Sequence, residues 1–217
     1  MKNILCYGDS NTWGFNPIDG SRYEKEVRWT GVLEKEMGEE YRIIENGING
    51  RTTVFDNPYA FEYQNGFKGL FYALNASKPL DAIVLMLGTN DLNYTDAEGV
   101  YKGLYKIINL LQNASLFFSD TTKGSSPIWR DSPKILLVSP INRNRCNQMN
   151  QEQEERRNKE SLLFPYYTKK LAEEFGIYYF DASTVAHPSK LDGLHMDAEN
   201  HRTLGLWIAK AIKEIFE

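Results

Sequence analysis

Residues 4–14 read ILCYGDSNTWG. Four apolar residues, Ile4 to Tyr7, stop at Gly8; Asp9 and Ser10 follow, and Gly14 closes the segment. A short, continuously apolar run ended by glycine is the pattern of a strand buried on both faces. A serine just beyond such a strand either caps the helix that follows or stands as a nucleophile at the strand's carboxyl end. What the rest of the chain brings to the same place decides between the two.

Four more runs of this kind follow: YRII from Tyr41, AIVLML from Ala82, ILLV from Ile135 and IYYF from Ile177. Helical patterns fill the intervals, with room for the crossover that a parallel connection needs. WTGVLEKEMG follows the first strand and GFKGLFYALNAS the second. EGVYKGLYKIINLLQ follows the third, with Val100, Leu104, Ile107, Ile108 and Leu111 on one stripe. LFPYYTKKLAEEFG precedes the fifth and ends on Gly176, a C-cap residue. HRTLGLWIAKAIKEIF puts Leu204, Ile208, Ala211, Ile212 and Ile215 on one face. The alternation predicts one domain over residues 1–217, a three-layer α/β/α sandwich around a five-stranded parallel sheet with right-handed crossovers. Two segments depart from the pattern. Ser119 to Pro133 has loop composition; Asn142 to Glu160 is polar and charged with mixed signs, and reads as a solvated surface excursion.

The bulk composition narrows the function classes. The 217 residues are 41% hydrophobic and 25% charged, enough for a sizeable core. A net charge of -4 and a pI of about 5.5 argue against a nucleic-acid partner, which needs a basic surface. No apolar run approaches the roughly 18 residues of a membrane span, and the start lacks the about 7–15 apolar residues of a secretory signal. The expected location is cytoplasmic. Two cysteines make no disulfide framework; Cys6 reads as a buried small hydrophobe and Cys146 as exposed. With no thiolate spacing and no HExxH among the three histidines, no metal is expected. The oligomeric state is not written in the sequence, and a homo-oligomer stays open.

In open parallel sheets, ligands bind beyond the carboxyl ends of the strands. After the first strand comes Gly8-Asp9-Ser10; after the second, NGINGRTT from Asn46; after the third, GTND ending on Asp91; after the fifth, DGLH from Asp192 to His195. The fold gathers all four at one edge. A serine needs a base to take its proton, and His195 can serve near neutral pH. Asp192 can hold the other ring nitrogen. An oxyanion needs preorganised donors. The Gly50 and Ser10 N–H groups and the Asn90 amide are the candidates, with Gly47 a rival to Gly50.

With these four blocks the chain resembles an SGNH (GDSL-type) hydrolase. The family's Ser, Gly, Asn and His fall on Ser10, Gly50, Asn90 and His195, in order and over nearly the whole chain. The wording GDSNTWG, NGRTT and MLGTND is closest to the arylesterase-like branch, some members of which also transfer acyl groups to alcohols. The resemblance implies a flavodoxin-like sandwich, no cofactor, an acyl-enzyme on Ser10, and a small-molecule ester as substrate. Asn11, Trp13 and Leu194, beside the catalytic positions, are the candidates for substrate contact. The Ser119–Pro133 stretch is longer than the family pattern.

Plainer roles exist for each residue. Ser10 alone would read as an N-cap, Asp9 as a loop brace, Asn90 as a turn residue and Asp91 as a cap. His187 reads as a loop residue, and His201 as packing or capping the last helix. Trp129 and Arg130 are candidates for the pocket rim. Two other functions compete: a carbohydrate O-deacetylase using the same residues, and a flavodoxin-like binding protein with a ligand on the hydroxyls after the first strand. The second leaves Asp192 and His195 without a purpose.

Overall fold

A computed structural model describes residues 1–58, 64–117 and 126–217. The five apolar runs form five strands: β1 (Lys2–Gly8), β2 (Tyr41–Gly47), β3 (Leu80–Met86), β4 (Trp129–Ser139) and β5 (Tyr178–Asp181). They make one parallel sheet in the order β2-β1-β3-β4-β5. Both faces are covered, which is why the central strands carry no polar alternation. Leu5, Tyr7, Ile83, Leu85, Ile135 and Leu137 point to one side, packing with α3 (Gly66–Ser77), α4 (Ala97–Gln112) and α7 (Phe164–Phe175). Ile4, Cys6, Ala82, Val84, Leu136 and Val138 point to the other, against α2 (Trp29–Met37) and α8 (Ala198–Phe216).

The helices follow the sequence signals. Asn65 caps α3 through Lys68 N–H, Asp96 caps α4 through Gly99 N–H, and Asp197 caps α8 through Asn200 N–H. Gly176 ends α7 in the left-handed conformation at φ +61. Two short helices, α1 (Ser10–Trp13) and α5 (Ala114–Phe117), complete this part of the order, with α6 (Gln151–Ser161) between β4 and α7.

Two expectations are corrected. The segment from Asn142 is not a solvated excursion throughout. Residues 151–161 are helical, and Arg143 and Glu154, 6% and 4% exposed, form an ion pair of 2.7 Å beneath it. Mixed charge hid a pair whose partners lie eleven residues apart. The residues 129–133 are also not loop: β4 starts at Trp129, beside Leu80 at the amino end of β3, with a register irregularity before Lys134. Trp129 is buried and donates its indole N–H to Leu111 O; Arg130 pairs with Asp81. Both therefore sit at the sheet edge opposite the ends that carry the four blocks, not on a pocket rim. Residues 118–125 of that stretch lie outside the described residues.

His201 lies within α8, fully buried, and packs under Trp29 and Tyr23; its Nδ1 accepts Trp29 N–H at 3.4 Å. Burial pushes its pKa down to about 3. The unfolded chain binds a proton there below about 6.5, while the folded chain refuses it until about 3. The stabilisation is therefore whole above about 6.5 and lost as pH falls towards 3. Wild type should lose about 2 kcal/mol through this residue between pH 7 and pH 5. Urea unfolding of His201→Gln at the two values should show a pH loss smaller by about that amount; equal losses in both proteins would show that His201 does not carry it.

Candidate active site

The chain runs from β1 to β2 on one side and then to β3 on the other, so the strand order reverses at the β1/β3 boundary. A crevice opens there at the carboxyl ends. The turn after β1 carries Ser10. The loop after β2 carries Gly50, and the turn after β3 carries Asn90 at the head of a 3-10 segment, Asn90–Asn93.

Asp9 caps α1, accepting the Asn11 N–H at 3.0 Å. That places Ser10 at the first helical position, where its own N–H has no helical acceptor. The cap reading thus belongs to Asp9, and the Ser10 side chain is free for another partner. Its Oγ lies 2.9 Å from His195 Nε2, and His195 Nδ1 lies 2.6 Å from Asp192 Oδ2. The Asp192 Oδ1 atom also accepts the N–H groups of Leu194 and His195 at 2.9 and 3.0 Å. Those two bonds fold the DGLH segment so that the carboxylate meets one ring nitrogen of His195 while the other meets Ser10.

The electrostatics match the geometry. Burial works to raise the Asp192 carboxyl, but the hydrogen bonds from His195 and Leu194 outweigh it and hold it below the usual carboxylate range. Burial lowers the His195 pKa; Asp192 opposes this, and the charges of Arg145 and Arg143 add to the lowering. The net direction is down, so the ring is neutral and able to accept a proton at lower pH than free imidazole.

The three donor candidates lie on the turns at this crevice. Asn90 gives one amide hydrogen to Arg51 O at 3.0 Å, which fixes its side chain; a primary amide has a second hydrogen to give. Gly50, at φ +77, and Ser10 donate their N–H groups to no group among the described residues. Gly47, the rival, has a packing role: a Cβ there would sit 2.1 Å from Trp13 N, so its lack of side chain lets α1 lie on the end of β2.

The loops behind these donors are cross-tied. Asp91, fully buried, takes the Thr53 N–H on both oxygens at 3.0 Å and the Thr53 hydroxyl as well. Arg51 stacks at 4.0 Å on the Tyr7 ring and donates to Gly8 O and Asn46 O. Arg143 donates to Thr89 O at 3.3 Å, and Arg156 and Arg157 to Leu92 O at 3.1 and 3.3 Å. The carbonyls on either side of Asn90 and Asp91 are thereby gripped by arginines from the segment after β4 and from α6.

Of the expected substrate contacts, Asn11 is buried with its amide spent on Leu194 O and Met196 N–H, at 3.2 and 3.0 Å. Trp13 is half-buried beneath the Arg22 guanidinium. Leu194 is half-buried between Asp192 and Asn11. Sequence reasoning missed Phe15, whose ring stacks on His195 with centroids 4.1 Å apart and whose N–H is held by Ser10 O. It also missed Arg143 and Arg145, which follow β4 by the same strand-end rule that found the other blocks. Among the described residues no three His, Cys, Asp or Glu side chains are grouped to hold a metal ion, and no helix is long and apolar enough to cross a membrane.

Known proteins show the same arrangement of chain. A carbohydrate acetylesterase family member from Sinorhizobium meliloti is 33% identical, with 99% of each chain covered and a TM-score of 0.88. The native aryl esterase of M. smegmatis is 30% identical, covering 99% of this chain and all of its own, with a TM-score of 0.87. A putative arylesterase from Agrobacterium tumefaciens str. C58 is 32% identical over 99% of this chain and 100% of its own, at 0.86. No curated protein matches. The model of the GDSL-like Lipase/Acylhydrolase family matches residues 6–203, and on that span the chain belongs to this family of carboxylic ester hydrolases.

Proposed function

We propose that the protein is a single-domain serine esterase that cleaves small acyl esters, aryl or short-chain, through an acyl-enzyme on Ser10. The observation that carries this is the hydrogen-bonded chain from Ser10 Oγ through His195 to Asp192, at 2.9 and 2.6 Å. His195 Nε2 takes the Ser10 proton as Oγ attacks the ester carbonyl, and Asp192 stabilises the imidazolium. The oxyanion is met by the Ser10 and Gly50 N–H groups and the free hydrogen of the Asn90 amide. The imidazolium then protonates the leaving alcoholate. Water, activated by the same ring, releases the acid; an alcohol in its place would give acyl transfer. Deacetylation of a carbohydrate is the second reading, favoured by the resemblance to the acetylesterase from S. meliloti. All groups invoked lie in one chain and act on a small molecule.

A panel of esters varied in acyl length and leaving group tests the proposal directly. Wild type should hydrolyse aryl and short-chain members, an organophosphonate should label Ser10, and Ser10→Ala should neither hydrolyse nor be labelled. Activity persisting in Ser10→Ala would place the nucleophile elsewhere.

The pH dependence has a defined sign. The active form of His195 is neutral, and its pKa lies below the ordinary 6.5. The acid limb of kcat/KM should therefore have its midpoint below 6.5, with activity rising through it to a plateau near neutral pH. A midpoint above 6.5 in a profile that persists in Ser10-dependent turnover would contradict this electrostatic account. Asp192→Asn should retain more activity than His195→Ala, since the histidine carries the proton in both half-reactions.

Asn90→Ala removes a donor that acts when the oxyanion forms. Its kcat should fall by about 10²–10³ with KM little changed. A raised KM at normal kcat would make Asn90 a ground-state binding residue.

A further inference from the structure

Every arginine packed about the Asn90 turn is occupied except one. Arg143 is spent on Glu154 and Thr89 O, Arg156 on Leu92 O and Thr95 O, and Arg157 on Glu154 and Leu92 O. Arg145 is exposed, and its guanidinium has no hydrogen bond or ion pair among the described residues. Its backbone, by contrast, is fixed. Asn158 accepts the Arg145 N–H at 3.2 Å and donates to its carbonyl at 2.9 Å. Next to it, Asn144 N–H donates to Gly193 O at 2.8 Å.

That last contact seats Arg145 against the catalytic loop. Gly193 lies between Asp192 and His195 at φ +64, and a Cβ there would stand 2.0 Å from Asn144 O and 2.6 Å from Arg145 N. The two segments can approach so closely only because residue 193 is glycine. Beside Arg145 is a cavity of about 400 Å³, also lined by Asn144, Asn147 and Asn158. Two carboxylates border it, but Glu154 is neutralised by Arg143 and Arg157, and Glu155 takes the Gln151 amide. An exposed cationic head on a fixed backbone thus stands near enough to His195 to act on its charge, and no group among the described residues pairs with it.

This position has a cost for catalysis. His195 must become cationic in both half-reactions, and the Arg145 charge opposes that. An anion brought by the substrate would cancel the opposition as well as add a charge-assisted hydrogen bond.

We propose that Arg145 is a specificity-determining residue that recognises an anionic group, so that the preferred substrates are esters bearing a carboxylate on the acyl or the alcohol part. The proposal rests on the esterase reading above. The anion sits on the Arg145 guanidinium at the mouth of the cavity, whose wall of asparagines is polar enough for the rest of such a molecule.

Matched ester pairs differing in charge test it. 4-Acetoxybenzoate and its methyl ester place the charge on the alcohol side; 4-nitrophenyl hemiglutarate and 4-nitrophenyl butyrate place it on the acyl side. With rates normalised to uncatalysed hydrolysis, wild type should favour the anionic member of at least one pair by about 10–100-fold in kcat/KM, the range of a charge-assisted hydrogen bond. Arg145→Gln should abolish the preference, Arg145→Lys should keep part of it, and added salt should shrink it. The acid limb of kcat should also move to higher pH with the anionic ester, in wild type but not in Arg145→Gln. Equal normalised rates in wild type, or a preference that survives Arg145→Gln, would overturn the proposal and leave the esterase reading standing. Failure to turn over the neutral esters, with Ser10 unreactive to phosphonate, would remove the esterase reading and this proposal with it.

Discussion

The side-chain amide of Asn11 ties the two ends of the chain together. Its Nδ2 donates to Leu194 O and its Oδ1 accepts Met196 N–H, across a separation of more than 180 residues. Ser10 lies one residue before Asn11, and His195 lies between the two backbone groups that the amide grips. The 2.9 Å contact from Ser10 to His195 is therefore set by a buried neighbour on each side, not by the pair itself. The backbone oxygen of Asn11 is used as well, accepting the Trp29 indole N–H. Through that bond the Ser10 turn is anchored to α2, which packs on α8, the helix that the His195 loop enters. A site assembled from opposite chain termini needs such a tie, because a loose loop would lose the alignment on which proton transfer depends.

The fold was legible because its cause is local and repeated. Strands covered on both faces must be apolar throughout, so Ile4–Tyr7, Ala82–Met86 and Ile135–Val138 announce themselves without an alignment. The candidate site positions stood out for a related reason: Ser10 and Asn90 lie in the short polar turns that follow β1 and β3. Two other parts of the sheet were harder. β2 is only half-buried, and its apolar signal is short. The amino end of β4 carries Arg130, Asp131, Ser132 and Pro133, residues that advertise a loop; Trp129 joins the sheet because its ring is buried, a tertiary gain that local propensity cannot report.

What the sequence concealed is the division of labour among arginines. In NRNRCNQMNQEQEERRNKE every charge looks alike. In the fold, Arg143 is 6% exposed and Arg145 is exposed, though they are two residues apart. A regular extended backbone would put two residues this far apart on the same side, so the difference comes from tertiary partners. Arg143 meets Glu154 and the Thr89 carbonyl, whereas at Arg145 it is the backbone that is held, by the Asn158 amide. No periodicity test finds this, because the partners lie on other segments and the stretch between β4 and α6 is irregular.

Charge behind the nucleophile is arranged with equal economy. Asp9 and Asp91 are both buried, and burial pushes them up to about 6 and about 7; their mutual repulsion adds to the rise at Asp91, while bonds from Thr53 restrain it. Arg51 supplies a cation to Asp9, and its own desolvation is partly countered by Tyr7 and Asp9 while its guanidinium donates to three oxygen acceptors. These groups touch the same turns that present Ser10, Gly50 and Asn90. They fasten the turns that carry the three proposed donors: Asp9 caps the Ser10 turn, Arg51 follows Gly50 and grips Gly8 O and Asn46 O, and Asp91 follows Asn90 and holds Thr53. In the proposed reaction these donors would be held in place before the oxyanion forms. Rigid dipoles held unpaired in the ground state are what allow an active site to stabilise a charge that appears only in the transition state.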